Sequence, residues 1–112
     1  MFMSVKLQKH TDTGWESLNE DGTIIGRILN GMATIRVWKF NLTINVAKDP
    51  YQILLLPDKY IPTRSVPFLL TRELASPETV SGLVLIDTPA RIRVYSNNTG
   101  KFVLYGSVTY PV

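Results

Sequence analysis

An Asn-Gly pair at positions 30–31 sits between two apolar, β-branched runs, Ile24-Ile25-Gly26-Arg27-Ile28-Leu29 and Met32-Ala33-Thr34-Ile35-Arg36-Val37. Asn-Gly supplies positive φ at both central positions of a type I′ turn, whose twist matches that of paired strands. The pattern predicts a β-hairpin over 24–37. Beyond it, Phe40-Asn41-Leu42-Thr43-Ile44-Asn45-Val46 alternates apolar and polar at every step, which is the period of a strand with one buried face. The apolar phase shifts between Val37 and Phe40, so Trp38-Lys39 is expected to hold a bulge or a bend.

Asp49-Pro50 breaks this run, because proline removes a donor and restricts its predecessor. A short buried strand is predicted over 51–56, a loop over 57–62, and a strand over 66–72. Residues 73–78 read as a loop or a single helical turn, and 80–87 as another strand. After Pro89, Ala90, Ile92 and Val94 share one face of a strand. Ser96-Asn97-Asn98-Thr99-Gly100 is rich in residues that tolerate left-handed backbone, and it is predicted to close a second hairpin with 101–109. No segment of helical length carries a 3.6-residue apolar stripe. Seven or eight short strands with turn signals between them predict an all-β fold, an antiparallel sandwich or barrel. At 112 residues the chain holds one such domain, here placed at 15–112, with 1–14 as an N-terminal arm or neck. Val5 and Leu7 of that arm fit an edge strand.

Several classes of chemistry find no support in the residues. The absence of Cys excludes a disulfide framework, a thiolate metal site and a Cys nucleophile, and fits assembly in a reducing cytoplasm. The single histidine, His10, lies in the polar arm, reads as a solvated residue, and cannot form a His-based metal cluster. A glycosidase needs two carboxylates across a cleft. Asp12, Glu16, Glu20, Asp21, Asp49, Asp58, Glu73 and Glu78 fall in predicted loops or the arm, and Asp87 ends a strand, so no pair stands out. No serine has a nucleophile-elbow context and no Gly-rich phosphate loop is present. The expectation is a non-enzymatic protein without metal. No apolar run approaches the ~20 residues of a membrane helix, so no membrane insertion is expected. Met1-Phe2-Met3 is too short for the apolar region of a signal peptide.

What remains is a surface. Arg91, Arg93 and Tyr95 alternate away from Ile92 and Val94, and Arg36 shares a face with Trp38 in the same way. Aromatic faces stack on the apolar faces of sugar rings, while arginine bonds hydroxyls or phosphates, so such a surface can read a saccharide. Partial burial at a strand or subunit contact is the better fit for Trp38, since tryptophan is largely buried on average, while Tyr95 fits either account. The net charge of +3 favours an anionic ligand. A basic barrel that binds single-stranded nucleic acid would interleave aromatic and basic residues on one sheet. Arg91-x-Arg93-x-Tyr95 is only a fragment of that pattern, and no nucleic-acid partner is expected.

Three stretches, in order, resemble the C-terminal receptor-binding head domains of tail-fibre and baseplate proteins from tailed phages of Gram-positive bacteria. The first is Gly14-Trp15-Glu16-Ser17-Leu18, then Gly22-Thr23 and the Asn30-Gly31 hairpin. The second is Leu56-Pro57-Asp58-Lys59-Tyr60-Ile61-Pro62, leading to the apolar Val66-Pro67-Phe68. The third runs from Ala90 to Tyr95, then from Lys101 to Thr109, and ends at Tyr110-Pro111-Val112. Ile61 stands where many members carry Arg. The resemblance implies a sandwich of jelly-roll type, a homotrimer, a non-catalytic role in attaching the virion to host cell-wall saccharide, and no cofactor. It implies a virion location in the tail or baseplate, with the arm joining other tail or baseplate proteins. A connecting or accessory tail subunit without ligand is the second reading of the same fold.

Overall fold

The computed structural model describes residues 12–87 and 89–112. His10, Val5 and Leu7, with the first eleven residues of the expected arm, lie outside them. Eight strands follow in chain order: β1 (Glu16–Ser17), β2 (Ile24–Leu29), β3 (Met32–Ile44), β4 (Tyr51–Leu55), β5 (Val66–Arg72), β6 (Glu78–Leu85), β7 (Arg91–Tyr95) and β8 (Gly100–Pro111). They form one antiparallel sheet in the order β1-β2-β3-β8-β5-β6-β7-β4. The expected all-β class holds, and one curled sheet encloses the core in a jelly-roll-like, half-barrel arrangement.

The Asn-Gly turn forms as its sequence dictates, with φ of 50° at Asn30 and 80° at Gly31, and it pairs Leu29 with Met32. The bulge also forms. Register shifts between Trp38 and Phe40, and Lys39 takes a φ of 57°. Ala33, Ile35 and Val37 are buried before it and Ile44 after it, so the extra residue moves the apolar set from odd to even positions and keeps it on the core side.

Two expectations fail, both over which strands are neighbours. The residues 96–100 do not close a hairpin. β7 is flanked by β6 and β4, whereas β8 runs along β3 from Met32↔Pro111 to Ile44↔Gly100 and meets β5 on its other side. Both edges of β7 are therefore taken, and the turn carries the chain past β6 and β5 to the middle of the sheet, where β8 lies between β3 and β5. The long, phase-shifted β3 needs an equally long partner, and β8 supplies it. The segment at 51–56, expected to be buried, is the edge strand β4, with Leu54 buried and Leu55 51% exposed. Of the two forms expected after β5, residues 73–77 take the loop, and Glu78 already belongs to β6.

Every strand from β2 to β8 gives side chains to one buried cluster that includes Ile24, Ile35, Leu54, Leu70, Val84, Ile92 and Phe102. One face of the sheet must therefore curl around its own core and leave the other face outward. The segment after β4 helps to close the curl. Leu56 donates its N–H to the Ala90 carbonyl, and a single 3₁₀ turn at Asp58–Tyr60 then carries Tyr60 to the opposite end of the sheet. The Tyr60 ring lies on Gly26 of β2, so close that a Cβ there would meet Tyr60 Cε1 at 2.9 Å and Leu18 Cδ1 at 2.8 Å. The Tyr60 hydroxyl donates to Glu16 at 2.8 Å, Lys59 Nζ reaches the same carboxylate, and the Tyr110 hydroxyl donates to the Tyr60 carbonyl at 2.8 Å. Asp12 and Arg27 add a two-point ion pair at the outer end of β2, which holds the Asp12 carboxyl down at about 2.

Gly26→Ala is expected to cost about 1–3 kcal/mol, because the new methyl displaces a fully buried ring. Ile92→Ala and Leu104→Ala are expected to cost about 2–5 kcal/mol each as core deletions. Urea unfolding measures all three. The Glu16 carboxyl is held below its ordinary value of 4.5 by the hydrogen bonds from Lys59 and Tyr60. Its contribution to stability is thus complete above pH 4.5 and is lost as the pH falls through the lowered value. In thermal melts taken across that acid range, Glu16→Gln is expected to flatten the fall in midpoint seen in the parent protein.

Candidate functional site

In a strand, side chains alternate between faces, and cross-strand partners share a face. The core residues of β3 and β7 therefore fix Arg36, Trp38, Arg91, Arg93 and Tyr95 on the outer face. The structure places these five as two groups. Arg36 and Trp38 lie on β3, the other three on β7, with β8, β5 and β6 between them.

The β3 group is the more elaborate. Trp38 is 59% exposed, and its ring meets Tyr105 of β8 edge to face at 4.7 Å between centroids. The Tyr105 hydroxyl donates to Glu73, which fixes the ring and raises its pKa above the usual tyrosine range. The Arg36 guanidinium lies 4.7 Å from the centre of the Trp15 ring, where the negative ring face attracts it. Arg36, Trp38, Thr71, Tyr105 and Ser107 line a groove of about 300 Å³. Arg36 and Trp38 also line a neighbouring depression of about 440 Å³, with Gly22 and Ile25.

In the β7 group, Tyr95 is 36% exposed and lines a polar groove of about 260 Å³ with Lys48, Thr79, Ser81, Ser96 and Asn97. Arg91 is tied into the sheet: Nη1 donates to Gln52 at 3.3 Å, and Nε stands 3.8 Å from Asp87. Arg93 pairs in register with Leu83 and Gln52 and has no ion pair among the described residues. Elsewhere, Arg72 is held by Glu78 and by the Phe102 ring, 3.7 Å from its guanidinium carbon, and serves packing. Among the described residues no three His, Asp or Glu side chains gather to hold a metal ion.

The sequence reading missed Tyr105, Thr71, Thr79, Ser81, Ser107 and Lys48. Tyr105 and Ser107 do alternate outward from Leu104 and Val108, and that signal was present. Their neighbours were not legible, because β8 pairs with a strand far earlier in the chain, Tyr105 with Trp38 and Ser107 with Arg36.

No family model matches the chain. No curated protein matches it either. Among solved structures, the chain is similar to the head domain of phage bIL170, a crystal structure reported in the context of the receptor-binding domains of lactococcal phages. The TM-score is 0.70 at 14% identity, and the match covers 88% of this chain and 97% of that one. The two share a fold.

Trp38→Ala removes an exposed ring and one aromatic contact. It is expected to cost only about 0.5–1.5 kcal/mol, against about 3–5 kcal/mol for Phe102→Ala. Equal losses in urea unfolding would make Trp38 a packing residue rather than a free platform.

Proposed function

We propose that this domain is a receptor-binding head of a phage tail, which attaches the virion to saccharide of the host cell wall and catalyses nothing. The observation that carries this reading is the likeness of fold to a phage head domain over nearly its whole length. The outer face supports the ligand class. Trp38 and Tyr95 offer exposed rings for the apolar faces of sugars, and Arg36, Arg93 and Lys48 offer charge-assisted donors.

On this reading the head works as a homotrimer in the tail or baseplate, and residues 1–14 join it to neighbouring tail proteins. Shallow saccharide sites are often of order mM, about −4 kcal/mol. Linking several of them makes later binding events intramolecular and raises avidity by roughly 10² to 10⁴. Leu55, exposed on the edge strand β4, is a side chain that a subunit contact would cover.

The isolated domain is expected to adhere to cells of a Gram-positive host, to compete with extracted wall polysaccharide for them, and to have a mass near three times 12.6 kDa by light scattering. Arg93→Ala and Tyr95→Ala are expected to weaken adhesion and leave the thermal midpoint nearly unchanged. A monomer that binds no cells and no wall polysaccharide from any strain would instead make the domain a connecting part of the tail.

A further inference from the structure

The two outer-face grooves are not independent. Trp38 is the register partner of Tyr105, Tyr105 of Thr71, and Thr71 of Thr79, which gives an unbroken row from β3 through β8 and β5 to β6. A parallel row runs two residues away on each strand, where Arg36 pairs with Ser107, Leu69 with Ser81, and Ser81 with Tyr95. Thr71 lines the groove beside Trp38, and its direct partner Thr79 lines the groove beside Tyr95. The alternation of strands puts both rows on the same side.

The chemistry of the strip is uneven in a useful way. Aromatic rings stand at its two ends. Between them lie short hydroxyl side chains, which leave the surface low, and Leu69, which is 65% exposed. Of the side chains lining the two grooves, Arg36 and Lys48 are charged, both positively. From β3 to β7 there are four strand spacings of about 4.8 Å, or roughly 19 Å of sheet. That is far longer than one sugar ring.

Building on the receptor-binding reading, we propose that these five strands form a single strip that binds one linear, anionic oligosaccharide across the strands. One ring of the ligand stacks at the Trp38–Tyr105 pair and another at Tyr95. The hydroxyls of Thr71, Thr79 and Ser81 exchange hydrogen bonds with the sugars between, and Arg36 and Lys48 draw acidic substituents to the ends. An extended ligand suits such a surface, because each shallow contact is weak and only their sum along one chain orders it.

The test is calorimetry on the full chain with size-fractionated wall-polysaccharide fragments from a strain whose cells it binds, run beside light scattering. Affinity is expected to rise steeply from disaccharide to hexasaccharide. Trp38→Ala and Tyr95→Ala should each weaken hexasaccharide binding about tenfold, the loss of one well-stacked ring. The double variant should lose both factors, while a disaccharide responds to only one of the two. Trp38→Phe, which keeps a ring, should recover most of the loss and shows that the effect is not one of folding. Fragments of every length binding equally, or only one end mattering at all lengths, overturns the strip and leaves the receptor-binding reading standing. No binding by any fragment, from a strain whose cells the protein does bind, overturns the strip and the saccharide ligand together. A drop in particle mass on Trp38→Ala would mean that a second copy of the chain covers this face, which also overturns the strip.

Discussion

Tyr60 ties the two ends of the curled sheet together. Its ring is fully buried against Gly26, its hydroxyl donates to Glu16 of β1, and its carbonyl receives the Tyr110 hydroxyl. Burial and the neighbouring Glu16 carboxylate both raise its pKa, so the phenol stays protonated and keeps donating. The segment that bears Tyr60 starts beside β4 and β7, where Leu56 bonds to Ala90, and ends on β1, β2 and β8. It thus joins the two ends of the sheet through the core side, and among the described residues no strand pairs with the other edge of β4.

That closure from within determines what the other face can be. With the apolar side chains of seven strands turned inward to one cluster, the outer face carries whatever the alternation leaves there: Arg36, Trp38, Tyr105, Thr71, Ser81 and Tyr95. Such side chains fit the recognition of polar, ring-containing polymers, where stacking and hydrogen bonds are each modest and affinity comes from length or from several linked copies. The bulge at Lys39 ends this outer set on β3. Past it the phase flips, and Asn41 and Thr43 take the outward positions.

What the sequence reveals divides along the distance over which its signals act. The Asn30-Gly31 turn, the phase shift at Trp38-Lys39 and the bounds of β5 depend on a few adjacent residues, and all three are legible. The choice of neighbours is a global decision. Lys101 to Thr109 follows Ala90 to Tyr95 across a good turn sequence, yet β8 goes to β3, because β6 and β4 already flank β7 and β3 needs a long partner. For the same reason the five candidate surface residues were legible one strand at a time, while the threonines and serines that lie between them were not. Tyr60 gave no warning of its role, since a loop reading of Pro57 to Pro62 says nothing about Gly26 or Glu16 on distant strands.

The central claim is that the outer face between β3 and β7 is where saccharide meets this domain. Amide chemical-shift mapping by NMR, with wall polysaccharide from an adsorbing host titrated into the labelled protein, addresses it most directly. The account predicts shifts along Trp38, Tyr105, Thr71, Thr79, Ser81 and Tyr95, with the core-side amides of Tyr60 and Ile92 unmoved. Shifts confined to the edge strand β4, with that outer row silent, would contradict it.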